Sequence, residues 1–289
     1  MQFDPSLILL YLAPMFLAFI AWEWWYLQKH TSNRAQAQDN TQNGIQDSAQ
    51  YSISDTASNA ALALMHEVGK TIAAVVVISV YGWFFDYRMF DIPTNIFTIA
   101  LLFLLQDFCY YWFHRTSHVV RWMWASHVVH HSSEKLNLST AFRQSMMYPV
   151  SGMWVFWLPL IALGFSPDSV ITVVLINLAY QFFVHTQVVD KIGPLESILN
   201  TPSHHRVHHA KNPRYIDKNF AGVLIIWDKI FGTFEPEDPA EPCIYGIPKQ
   251  IRSHNPILLT FHEWKQMFTD MREKHGWKAK IRELFGRPY

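Results

Sequence analysis

The sequence predicts an all-α fold, a multi-pass membrane helix bundle of about five spans. Three observations predict it. Charged residues are only 16% of the 289, against roughly 25% in soluble domains, while aromatics also reach 16% and include 12 Trp. Uncharged apolar runs recur along the chain without the one-sided stripe of a helix lying on a surface. Lys and Arg gather in three connecting segments and leave the alternate loops nearly bare, the pattern of a chain that crosses a bilayer repeatedly. Net charge excludes one large class of function. The 23 basic residues balance 23 acidic ones, so the basic footprint that nucleic-acid binding needs is missing. Two cysteines, Cys109 and Cys243, are too few for a disulfide framework or a thiolate cluster.

Taken in order, residues 1–27 form an N-terminal membrane helix. No charge interrupts Pro5 to Trp22, and Trp22, Trp24, Trp25 and Tyr26 suit the interface. A cleaved signal peptide would need a positive leading region, which is missing. Residues 28–69 turn polar, rich in Gln, Asn, Ser and Asp, and read as a flexible linker with too little apolar surface to offset its ordering entropy. Residues 70–240 form the catalytic unit. Thr71 to Phe85 and Ile92 to Gln106, the latter continuing through Asp107 to Phe113, make one helical hairpin, and Gln144 to Pro167 and Ser169 to Val189 a second. Residues 241–289 are a charged cytosolic tail. Lys29, Arg34 and Lys70, then Arg115, Arg121, Lys135 and Arg143, then Lys191 and Arg206 mark the cytosolic segments; Asp4, Arg88 and Asp168 fall on the other side.

The chain has 15 histidines, and those between 114 and 209 fall into spaced groups. His114 and His118 stand at i, i+4; His127, His130 and His131 at i, i+3, i+4; His205, His208 and His209 repeat that spacing, with His204 beside them. On a helix each set projects from one face. Asn200-Thr201-Pro202 reads as a helix start, with Thr201 as N-cap and Pro202 at the first helical position. Single histidines are usually structural. So many imidazoles beside a membrane would repel one another if protonated and need partners if neutral, and metal coordination resolves both. One ion cannot use them all, so two metals are expected. Imidazole alone leaves Fe, Zn, Cu and Ni open.

The motifs HX3H, HX2HH and a later HX2HH at the ends of membrane helices, in the wording YYWFHRTSH, MWASHVVHHSSEKLNLSTAFRQS and NTPSHHRVHHAKNPRYIDKNFAGVLIIWDKIFGTFE, resemble the fatty acid hydroxylase and sterol desaturase superfamily, from about Gln106 to Glu235. The resemblance implies a non-haem centre of two Fe ions, O2 as co-substrate, and His114, His118, His127, His130, His131, His205, His208 and His209 as catalytic metal ligands. His185, at a helix end, and His204 are added as candidate ligands by position. Asp107, Glu134, Asn137 and Asp228 are candidates to orient imidazole N–H groups, and Trp227 to Gly232 reads as packing.

Within the superfamily the wording is most similar to a branch that cleaves glycerol ether lipids, though Gln187 stands where that branch carries Glu and a charged tail follows Phe234 where it carries further membrane segments. The implied function is a membrane-bound monooxygenase hydroxylating a lipid alkyl chain. The alternatives are a hydroxylase or desaturase of another lipid (fatty acyl, sterol or amino-lipid) and, in a different class, a histidine-rich metal transporter. No haem or flavin domain and no Gly-rich dinucleotide fingerprint is visible, so electrons come from an external donor, for which the resemblance suggests tetrahydrobiopterin. The partners are then the bilayer, a membrane lipid and that donor. The expected location is a bacterial inner membrane or the endoplasmic reticulum, with the site facing the cytosol.

Overall fold

The computed structural model of the chain describes residues 7–34 and 49–288. Among these residues the regular structure is helical, with two isolated β-bridges and no strands. Three long helices carry the bundle: α1 (Ile8–Arg34), α2 (Ile53–Asp86) and α3 (Ile96–Val119). Each is long and apolar enough to cross a membrane; at 1.5 Å per residue even α3 reaches about 36 Å, beyond a hydrocarbon core of about 30 Å. Along their middle stretches many exposed residues are apolar, with Leu10 and Leu17 on α1, Ile72, Val75 and Val76 on α2, and Phe97 and Leu101 on α3. In lipid such faces cost nothing. Asn95 starts α3 with a capping box in which its side chain accepts from Phe97 N and Thr98 N while Thr98 Oγ1 accepts from Asn95 N.

The second expected hairpin forms differently. Residues 144–167 are a chain of short pieces: helical turns at Tyr148–Ser151 and Met153–Trp157, then one more short helix. Helix α4 (Arg121–His131) precedes them, and α5 (Leu158–Leu163) ends them. Pro149 and Pro159 cannot continue a helix through their positions, and Gly152 and Gly164, at φ +87° and +127°, turn the chain in conformations that other residues avoid. The segment therefore runs as a broken helix packed along α2 and α3, burying Trp157, Leu160 and Ile161. Helix α6 (Pro167–Phe182) follows, 16 residues or about 24 Å.

The expected linker is largely helix. Residues 35–48 lie outside those described, whereas 53–69 belong to α2 and bury Asp55, Ser58, Asn59 and Leu62. Here a polar sequence forms helix because its polar groups meet a buried partner. Arg143, 1% exposed on its side chain, reaches from the loop after α4 to Asp55 Oδ1 (3.3 Å) and Asn59 Oδ1 (2.8 Å), and its Nε donates to Val129 O and Ser132 Oγ (3.0 Å each). Gly69 lets α2 press on the same loop, since a Cβ there would stand 2.4 Å from Met146 O. Residues 241–289 likewise fold back as structure. Helices α9 (Pro256–Glu273) and α10 (Trp277–Phe285) pack on α4, where Arg121 donates to Glu263 (2.9 Å), Asp270 (2.6 Å) and Glu283. Two short helices between them and α6, α7 (Pro202–His209) and α8 (Ile226–Phe231), complete the order.

Arg143→Met would leave Asp55 buried without its cation, a change that costs about 3–5 kcal/mol. Thermal denaturation in detergent should report that loss, and Asp55→Asn in the same chain should restore part of it, because the pair is then removed together.

Candidate metal centre

Helix spacing and one sharp bend bring the histidines together. His114 and His118 lie on the last turns of α3; Val120, in an extended conformation, turns the chain after Val119 so that α4 doubles back with His127 and His131 facing them. Helix α7 begins as its sequence predicts, with Thr201 as N-cap and Pro202 in the first turn, and presents His205, His208 and His209. His185 comes from the turn after α6. All nine rings are buried. The end of the bundle that holds them is also the end where α2 meets Arg143, opposite the loop in which Met89 N and Phe90 N donate to Ala162 O and Leu163 O.

The rings sort into two adjoining groups. His114, His118, His127, His131 and His208 form one, and His130, His185, His205 and His209 the other; within each, the candidate ligand atoms lie within 4.8 Å of one another. The groups abut through His131 and His209, whose ring centroids are 4.5 Å apart. Each HX2HH motif is divided between them. In α4 the outer pair, His127 and His131, serves the first group and His130 the second; in α7 the outer pair, His205 and His209, serves the second and His208 the first.

The hydrogen bonds assign where the protons sit. Nδ1 of His114 lies 2.8 Å from Phe220 O, of His185 2.6 Å from Gln181 O, of His208 2.9 Å from Lys218 O, and of His130 3.2 Å from Arg143 O. A carbonyl only accepts, so these Nδ1 atoms donate and the Nε2 atoms carry lone pairs. His130 Nε2 nevertheless faces His185 Nε2 at 3.1 Å, and His118 and His208 bury Nε2 atoms without hydrogen-bond partners. Further Nε2 pairs stand at 3.0 Å (His114 and His127), 3.1 Å (His127 and His131), 2.9 Å (His185 and His205) and 3.0 Å (His205 and His209). Two imidazole nitrogens at right angles around one divalent ion, each about 2.0–2.1 Å from it, stand about 3 Å apart. Burial, reinforced by neighbouring imidazoles, holds His127, His130, His131, His205, His208 and His209 well below the ordinary imidazole range, so they are neutral at pH 7. Inward-facing lone pairs with no proton between them fit a cation in each group.

His204, expected as a possible ligand, belongs to neither group. Its ring meets Phe234 edge-on at 5.4 Å. The four polar candidates also serve otherwise. Asp107 accepts from Val223 N (2.8 Å), Leu224 N (3.0 Å), Trp227 Nε1 (2.9 Å) and Asn177 Nδ2 (2.8 Å), and so fixes the loop before α8 against α3. Asp228 accepts from Phe220 N and Ala221 N (2.8 Å each), and thus holds the peptide whose carbonyl receives His114. Asn137 caps a helical turn at Leu138–Phe142, and Glu134 is exposed 3.8 Å from Lys211. Sequence reasoning missed Tyr148, whose hydroxyl lies 2.7 Å from His127 Nδ1, and Asp217, whose Oδ1 lies 3.6 Å from His118 Nδ1. Asp217 and Asn219 both adopt positive φ, at 58° and 54°; this tight left-handed turn aims the Lys218 carbonyl at His208. An opening from the polar surface, bordered by Lys211, Asp217 and Gly246, reaches His118, His131 and His208.

The human alkylglycerol monooxygenase is 49% identical over 211 residues, covering 72% of this chain and 46% of its own length. The zebrafish (Danio rerio) alkylglycerol monooxygenase is 41% identical over 245 residues, covering 84% and 54%. The ornithine lipid hydroxylase OlsE of Rhizobium tropici is 28% identical over 146 residues, 50% of this chain and 44% of its own. The chain thus spans about half the length of these relatives, and no solved structure matches it. Residues 99–233 match the fatty acid hydroxylase family, a stretch that contains all nine grouped histidines. On that match and these relatives, the chain belongs to the fatty acid hydroxylase family.

Proposed function

We propose that the chain is a membrane-bound non-haem di-iron monooxygenase that hydroxylates a lipid alkyl chain and, acting on a glycerol ether lipid, cleaves it. The observation that carries this reading is the pair of adjoining groups of Nε2 lone pairs, in a chain similar to alkylglycerol monooxygenases. Nitrogen donors do not choose among Fe, Zn, Cu and Ni; family membership supports iron. The nine grouped histidines would hold two irons, which would supply the activation of O2 with electrons from an external donor, for which a reduced pterin is the proposal.

The chain's own residues bind and orient. The carbonyls of Phe220, Arg143, Gln181 and Lys218 lock four rings by their Nδ1 atoms, and Tyr148 holds a fifth. Burial excludes bulk water from the groups, and the opening beside Asp217 and Lys211 supports entry of small polar reactants. The lipid-facing sides of α1 to α3 suit an alkyl tail whose head group stays at the interface. One oxygen atom of O2 is placed on the carbon next to the ether oxygen and the other leaves as water, with two electrons and two protons from the donor. That carbon is favoured because the ether lone pair stabilises the electron-poor transition state. The resulting hemiacetal collapses to a fatty aldehyde and a glycerol hydroxyl.

Gathering the histidines at one end of the bundle, and not at mid-height, favours an enzyme over a transporter. The Lys/Arg asymmetry supports a cytosolic site in a bacterial inner membrane or the endoplasmic reticulum. The likeness to an ornithine lipid hydroxylase favours, as a second reading, simple hydroxylation of another lipid.

Supplied with a 1-O-alkylglycerol, isotopic O2 and a reduced pterin, the protein should yield long-chain aldehyde that carries the label when trapped at once by reduction; labelled hydroxy-lipid with no aldehyde would select the second reading. His130→Ala or His208→Ala should each deplete iron from the group that its ring serves and abolish turnover, with helicity unchanged by circular dichroism, whereas His204→Ala should keep iron and turnover. Single cysteines near Asp168 should label from outside intact cells, and those near Glu134 or Lys211 only after the membrane is opened; the reverse pattern would invert the topology.

A further inference from the structure

Eight of the nine grouped histidines sit on helices, where the i, i+3 and i+4 spacing alone places their rings. His185 is different. It lies on the turn after α6, where its ring is tied to Gln181 O and its N donates to Phe182 O at 3.3 Å, local bonds that leave the turn itself to be fixed against the rest of the bundle. Two tethers reach the next residue, Thr186. Arg206 of α7 donates to Thr186 O (3.2 Å) and Val189 O (2.7 Å). From the opposite side comes Glu23, the first charge after the apolar run of α1, itself 0% exposed. Its carboxylate accepts from Thr186 Oγ1, from Leu138 N (2.8 Å) and from Tyr51 Oη (2.5 Å), and Thr186 Oγ1 in turn accepts from Val188 N (3.0 Å).

Phe16 and Glu23 are the buried residues of α1, two turns apart on one face, and Phe16 packs on Phe182 at 4.4 Å between centroids. An ionisable group buried in a membrane helix is costly and is retained where it does a specific task. The task available here is local, because Phe16 already docks α1 and Glu23 adds a bond to the residue beside a candidate ligand. Helix α1 also lies outside the family-matched stretch.

We infer that Glu23 is the positioning residue for His185, so that the first membrane helix governs occupancy of the four-histidine metal position and leaves the five-histidine position untouched. The inference rests on the two-metal reading of the site. The helix supplies no ligand; it fixes the turn that does.

The test uses the full chain in detergent, with wild type, Glu23→Leu, Glu23→Gln and Thr186→Val measured side by side. In iron-loaded protein, Glu23→Leu and Thr186→Val should each lower bound iron from about two per chain to about one, while Glu23→Gln, whose carbonyl can still accept from Thr186, retains more than Glu23→Leu. In metal-free protein, hydrogen exchange over residues 185–189 should rise at least about tenfold in Glu23→Leu, with residues 202–209 unchanged. Exchange that does not rise overturns the clamp. Unchanged iron in both Glu23→Leu and Thr186→Val, or loss of all iron from a chain that keeps its helicity, overturns the selective role. Wild-type protein that fails to hold two irons would instead reject the two-metal reading, and the exchange measurement then decides the clamp alone.

Discussion

Everything in this molecule is arranged around groups of lone pairs that repel one another. Neutral imidazoles with Nδ1 given to carbonyls turn Nε2 inward, and His130 and His185 bring these atoms to 3.1 Å with no proton between them. Such an arrangement does not assemble for its own sake. It stands because the surrounding chain holds the rings there, and a cation converts the repulsion into attraction. The end of the bundle is correspondingly rich in buried polar fasteners, whereas the opposite faces of α1 to α3 are smooth and apolar.

These fasteners are mostly ionisable. Arg143 ties α2 to the end of α4, Arg121 ties the C-terminal helices to its beginning, and Arg206 joins α7 to the turn of His185 while its Nε and Nη2 meet Glu237 at 2.8 and 2.7 Å. A buried pair of this kind adds little net stability but is expensive to break by halves, which suits a part that must hold one geometry. Three of the arginines that mark the charge asymmetry of the sequence are thus internal struts, and both roles fall on the same residues.

The helical class and the gathering of the histidine motifs were legible because they depend on local regularities: apolar length for α1 to α3, and i, i+3, i+4 spacing within the motifs at His114–His118, His127–His131 and His205–His209. Thr201-Pro202 announced α7 for the same reason. What escaped depended on distant partners. The polar start of α2 reads as linker until Arg143 is placed beside Asp55 and Asn59. Glu23 reads as the end of an apolar run until Thr186 is brought to it. Residues 144–167 are apolar enough for a span, but Pro149, Gly152, Pro159 and Gly164 divide the run into short helical pieces, and those residues were visible in the sequence. Asp107 and Asp228 are near the histidines in space, as their positions suggested, yet they grip backbone amides, which no spacing rule reveals.

The division of each HX2HH motif between the two groups has a mechanical consequence. Neither group includes a carboxylate among the described residues, so the distance between the groups is left to the helices that carry the rings. That distance is dictated by the rise of α4 and α7, each of which supplies ligands to both positions, with neighbouring side chains at i and i+3 or i+4 about 5–6 Å apart at Cβ. The two helices act as a pair of calipers. Stretching or unwinding either one would change the gap between the two groups, and a mutation that merely loosens a helix turn would reach both at once.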